Sequence, residues 1–143
     1  MKLFSPILIL LLLIASATPK LTKHEKKLVG TWKVDSVDMS EMMNNLSEED
    51  KVLYESFAPM LEEGFKTMVI TYHADGSASA RGTMMGETTE SQGTWVLSKD
   101  GKLLTTNFGE APEKMSIEKL TKSELVIMHH DETLRVRIFM KRQ

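Results

Sequence analysis

The chain has no cysteine among its 143 residues. That excludes disulfides, a cysteine nucleophile and the lipid-acceptor cysteine of a bacterial lipoprotein leader, so the fold must be held by its core alone. Charge of one sign is also missing: 18 Lys and Arg stand against 20 Asp and Glu, a balance that favours neither nucleic acid nor an anionic membrane surface. Enzyme signatures are absent. The chain contains no Gly-x-Ser-x-Gly elbow, phosphate loop or His-Glu-x-x-His, and its carboxylates gather in solvated runs such as Glu48–Asp50 and Glu62–Glu63. No nucleophile is written beside a base, and the expectation is a non-enzyme. Long hydrophobic runs are confined to Ile7–Ile14, eight residues, too short for a bilayer core of about 30 Å at about 1.5 Å per residue.

What is there begins with that run. Lys2, the apolar stretch and Ala15-Ser16-Ala17 have the three-part pattern of a secretory signal, with cleavage expected after Ala17. Removing residues 1–17 takes away Lys2 as the sole charge and leaves 126 residues at a net charge of −3. That is one domain, expected to be exported to the periplasm or outside the cell as a monomer rather than embedded in a membrane. Residues 18–27 read as a charged leader and 28–143 as the folded domain. Asn45-Leu46-Ser47 is a glycosylation sequon, a signal only where secretion passes through an endoplasmic reticulum.

Gly30-Thr31-Trp32 opens a first strand over 30–38, with Trp32, Val34 and Ser36 on one face and Lys33, Asp35 and Val37 on the other. Between Ser40 and Lys66 the period changes to helical. Ser47 and its following acids cap and start a helix, Leu53, Phe57, Met60, Leu61 and Phe65 share one apolar face, and Pro59 is expected to kink or divide the segment. Strand and turn follow to the end. Strands are expected at 67–73, 77–85, 91–98, 102–108, 113–120, 125–130 and 134–141. Their turns are Ala74-Asp75-Gly76, Gly86–Glu90, Lys99-Asp100-Gly101, Gly109–Pro112, Thr121–Glu124 and Asp131–Thr133. Gly93-Thr94-Trp95 repeats the opening tripeptide and reads as a second strand start. Eight strands joined mostly by short turns predict an all-β fold with a helical insertion between strands one and two. The expected architecture is an antiparallel up-and-down barrel, the smallest that holds one small ligand.

LVGTWKVDSVD (28–38) resembles the first strand of the calycins, the lipocalins and fatty-acid-binding proteins. YHADGSASARG (72–82) and GTWVLSKDGKLLTT (93–106) resemble the lipocalin-like domains of bacterial envelope proteins, and Arg137-Ile138-Phe139 is similar to the Arg-x-Tyr of the last fatty-acid-binding strand. The resemblance implies that Trp32 plugs one barrel end under an arginine, Arg135 or Arg137, through a cation–π contact. If those arginines face inward they give the cavity a positive floor suited to a carboxylate. If outward, which the alternation favours, Val136, Ile138 and Met140 line the core. It also implies that the helical segment lids the barrel mouth, against the plainer reading that it packs over an open flank as core.

Eleven methionines invite a copper reading through thioether sulfurs. Those near the helix, Met39, Met42 and Met43, suit packing better, and Met84 and Met85, adjacent in a strand, point to opposite faces. His129 and His130 diverge likewise, leaving His73 to meet one of them across the rim. Neither metal nor cofactor is expected. One alternation face collects Trp32, Val34, Ile70, Tyr72, Trp95, Leu97, Leu104, Ile117 and Ile127, with Arg137 beside them, as candidate lining for a small hydrophobic or amphipathic ligand. The alternative is a barrel filled by its own side chains that serves as an envelope or protein-interaction module. An interior void of about 300 Å³ or more, open at one rim, separates the two.

Overall fold

The computed structural model describes residues 20–109, 111–130 and 135–143; the expected signal sequence and Asp131–Thr133 lie outside them. The end of the charged leader folds as α1 (Lys23–Leu28). Its start is closed by a capping box, in which the Thr22 hydroxyl accepts from the Glu25 N–H and the Glu25 carboxylate accepts from the Thr22 N–H. Next come β1 (Gly30–Asp38), α2 (Ser40–Asn44) and α3 (Glu48–Lys66). The remaining strands are β2 (Val69–Tyr72), β3 (Ser77–Met84), β4 (Glu87–Leu97), β5 (Leu103–Asn107), β6 (Glu113–Leu120), β7 (Glu124–His130) and β8 (Arg135–Arg142). Each strand pairs antiparallel with the next and β8 returns to β1, closing the expected eight-stranded up-and-down barrel. Closure gives every strand two neighbours, but the β3–β4 hairpin runs past its own, so Glu87–Gly93 pair with β3 and not with β5 among the described residues.

Two bulges change which side chains point inward. One at Asp35 in β1 shifts the register against β8 from Val34↔Met140 to Ser36↔Phe139. An extra residue inverts the alternation, so Ser36, expected inside, is exposed, and Val37 packs on the core instead. A second bulge at Glu118 separates Ile117 from Lys119 in β6. The Asp-Gly hairpins are held by their aspartates. Asp75 accepts from the Ser77 hydroxyl and N–H at 2.6 and 2.9 Å, and Asp100 from the Ser98 hydroxyl and Lys102 N–H at 2.6 and 3.1 Å. Those bonds keep both carboxyls below the ordinary carboxylate range.

The β3–β4 turn is tighter than expected. Met85 and Gly86 alone make it, at φ +53° and +80°, and β4 begins at Glu87, so the expected turn over Gly86–Glu90 is mostly strand. Gly93 therefore lies inside β4 and starts nothing. It is required there because a Cβ would stand 2.2 Å from the Asn107 carbonyl of β5.

The helical insertion sits at the mouth end, joining the end of β1 to the start of β2. It divides at Asn45–Ser47, and α3 runs unbroken through Pro59 on its solvent side. Ser47 caps α3, accepting from the Asp50 N–H. α3 packs across β1 and β3. Of the expected apolar face, Leu61 and Phe65 are half-buried and Leu53, Phe57 and Met60 are exposed. Tyr54 and Ala58 join the covered side. Gly64 is the close-packed point of α3, since a Cβ there would meet Met84 at 2.8 Å. Among the described residues no helix is long and apolar enough to cross a membrane.

Candidate functional site

The closed end explains the opening tripeptide. Trp32 is fully buried, and its indole Nε1 donates to the Leu28 carbonyl at 2.8 Å, where α1 ends. The guanidinium carbon of Arg142 lies 4.3 Å from the centre of the Trp32 rings, a cation–π stack. Arg142 also donates to the Val29 carbonyl at 2.8 Å and to the carbonyls of Lys27 and Lys122. Gly30 makes the room: a Cβ would fall 2.1 Å from an Arg142 nitrogen, and the backbone there takes φ +138°. The arginine over Trp32 is thus Arg142, neither Arg135 nor Arg137. The signal for it was present in the alternation, because Arg142 continues the inward row of Val136, Ile138 and Met140.

Arg137 points out. It grips Glu118 with Nε and a terminal nitrogen at 2.6 and 3.2 Å, and Asp38 stands 3.5 Å away. The Asp38 carboxyl is held below its ordinary value by hydrogen bonds from the Ser40 side chain and N–H, with Arg137 adding to them. Arg135, exposed, faces Glu41 of α2 at 3.4 Å. No positive floor forms.

Above the closed end lies a cavity of about 280 Å³. That falls just under the roughly 300 Å³ lower end of the range for small-molecule sites. Its wall is Val34, Ile70, Tyr72, Ala80, Met115, Ile127, Val136, Ile138 and Met140, with Phe65, Met68 and Phe108 toward the mouth. Its polar groups are Thr106, Tyr72, His129 and Glu113. The Glu113 side chain is 64% exposed, so the cavity meets solvent at that rim. A larger hollow of about 350 Å³ lies on the outer face of β1–β4, but Thr31, Thr71, Ser79, Arg81, Glu90 and Gln92 line it. Its apolar lining is limited to Val69 and Ala80, and the interior cavity is the candidate site.

Of the ten expected lining residues, Val34, Ile70, Tyr72 and Ile127 form the cavity wall. Trp32, Trp95, Leu97 and Leu104 are buried core, and Ile117 packs against them. They lie at the closed end, where the barrel is filled. Trp95 meets Tyr72 edge to face at 6.0 Å and donates its indole N–H to the His73 carbonyl at 2.8 Å. Arg137 is outside the wall altogether. The Tyr72 hydroxyl is pushed well above its ordinary value of 10.0 by burial. His73 follows the closed-end terminus of β2 and His129 lies near the mouth end of β7, so they do not meet across one rim. The Met39 sulfur accepts the Tyr54 hydroxyl at 2.5 Å, and Met84 and Met85 are exposed. Met68, Met115 and Met140 serve as flexible wall.

A family model described as a lipocalin-like domain matches residues 28–127. The chain belongs to the lipocalin-like family. A lipocalin-like protein from Bacteroides uniformis superposes on this lipocalin-like chain with a TM-score of 0.54 at 15% identity, over 82% of this chain and 99% of that one. The odorant-binding protein from bovine nasal mucosa gives 0.48 at 12% identity, over 87% and 77%. The extracellular fatty acid binding protein As-p18 gives 0.44 at 10%, over 82% and 97%. The first of these is a likeness of fold. A comparison with curated proteins finds no match.

Proposed function

We propose that this lipocalin-like protein is an exported, non-catalytic barrel that binds one small apolar or amphipathic molecule in its interior. The cavity carries the reading: about 280 Å³, walled by aliphatic, aromatic and methionine side chains and reaching solvent at Glu113. Its volume admits a compact ligand, and the methionines lend the wall adaptability. Export rests on the signal pattern of residues 1–17.

Native mass spectrometry of protein recovered from its source tests binding. A non-covalent adduct is expected, released on collisional activation and absent from a variant whose cavity is filled by Ile138→Trp. Protein that carries no adduct and takes up no apolar fluorescent probe would leave the side-chain-filled interaction module as the better account.

A further inference from the structure

Taking the cavity to be the binding site, as proposed above, its polar groups restrict what the head of the ligand carries. No lysine or arginine is in the wall. Arg135 and Arg137 pair with Glu41 and Glu118 outside it, and Arg142 is committed to Trp32 and three carbonyls at the closed end. The acidic group in the wall is Glu113. A carboxylate ligand would leave water with no cation to meet it, so the wall suits a neutral molecule.

Tyr72 supplies a polar partner for that molecule. It stands in the wall with 1% of its surface exposed, and its hydroxyl has no hydrogen-bond partner among the described residues. Thr106, 3% exposed, lines the same cavity with a hydroxyl that is likewise unpartnered among them. Among the described residues, the unpartnered side-chain atom sealed off from every opening is His129 Nδ1 alone. Both hydroxyls therefore keep some surface, and in residues this deeply buried that surface belongs to the cavity they line. A phenol is a better donor than acceptor, because its oxygen shares lone-pair density with the ring. Burial pushes the Tyr72 pKa up, so the proton stays in place across the physiological range. A buried donor without an acceptor carries a desolvation cost, which a ligand oxygen placed against it removes.

We propose that the cavity selects neutral amphiphiles with a carbonyl head, a ketone, aldehyde or ester whose oxygen accepts from the Tyr72 O–H, over carboxylates of the same length. The hydrocarbon body lies against Ile127, Val136, Ile138 and Met140, and no charge need be buried.

The test is displacement of 1-aminoanthracene by octan-2-one, octanoate and 2-methyloct-1-ene, an alkene that keeps the ketone's shape with a methylene in place of the oxygen. Between the unaltered protein and Tyr72→Phe, octan-2-one is expected to weaken about three- to tenfold relative to the alkene. Octanoate should compete less well than the ketone against the unaltered protein. A ketone-to-alkene ratio that does not change, or octanoate competing as well as the ketone or better, would overturn the proposal. A second readout needs no variant. With protein in excess, the carbonyl stretch of octan-2-one should fall below its frequency in hexane, as it does when the oxygen accepts a hydrogen bond. A hexane-like frequency would overturn the proposal even if Tyr72→Phe fails to fold. Failure of the binding reading looks different: the probe is not bound, or it binds equally to Ile138→Trp.

Discussion

Arg142 is the residue on which several independent contacts converge, since one guanidinium covers an indole and ties the carbonyls of α1 and the β6–β7 turn to the last strand. Replacing it by methionine keeps the aliphatic stem but leaves those carbonyls unpaired and uncovers Trp32. We expect Arg142→Met to cost about 2–4 kcal/mol in urea unfolding. Arg135→Met should cost no more than about 1 kcal/mol, because its ion pair with Glu41 is exposed. Equal costs would return Arg135 to the role its place in the last strand suggested. Trp32→Ala removes a fully buried side chain and should cost about 3–5 kcal/mol. A loss below about 1 kcal/mol would mean that the closed end is not sealed by this ring.

Among the elements, α3 is the one whose role sequence periodicity leaves open. Its helical period shows an apolar arc but cannot say which part of the arc is covered, and the barrel covers only the Tyr54–Ala58–Leu61–Phe65 side. Phe65 and Met68, at the α3 end and just beyond, reach the cavity. Replacing residues 41–63 with a short Gly-Ser bridge spares both, and it removes the exposed Leu53, Phe57 and Met60. The shortened protein should fold and exchange an apolar probe faster than the full chain. Aggregation or early melting would show α3 to be structural core, and unchanged exchange would deny it any gating role. The strands were legible where one face packs: β5 and β8 follow the alternation, and β2, β3 and β5 adjoin Asp-Gly turns. The first half of β4 was not, because Glu87–Gln92 are exposed on both faces. There the β3–β4 hairpin extends past the packed wall, and no apolar alternation is needed to hold it. The bulges were equally silent, since one extra residue leaves no compositional mark.

At the scale of the whole molecule, strand number, order and closure were legible in the spacing of turns. The split between filled end and hollow end was not, because Trp95, Leu97 and Leu104 alternate just as Val34 and Ile127 do. Depth along the barrel axis is set by register between strands, which no single strand records. Burial also gives the whole fold an alkaline limit. Below pH 10 Tyr72 is protonated in both folded and unfolded chains and adds no pH dependence. Above it the unfolded chain releases that proton while the folded chain retains it. Stability therefore falls with rising pH, by up to about 1.4 kcal/mol per unit. Tyr72→Phe should flatten that decline in urea midpoints measured between pH 8 and 11, and an unchanged slope would refute the assignment. The seam between β1 and β8 has a further consequence for how the molecule is made. Every other ladder joins strands that follow one another in the chain, whereas this one sets Trp32 opposite Arg142, 142 − 32 = 110 positions apart. Ribosomal synthesis delivers the hairpins one at a time, as an open sheet with both edges unpaired, and the ring cannot shut before β8 emerges. A growing polypeptide thus stays unsealed until β8 has been made, and a message truncated before β8 yields an open sheet that sticks to its neighbours.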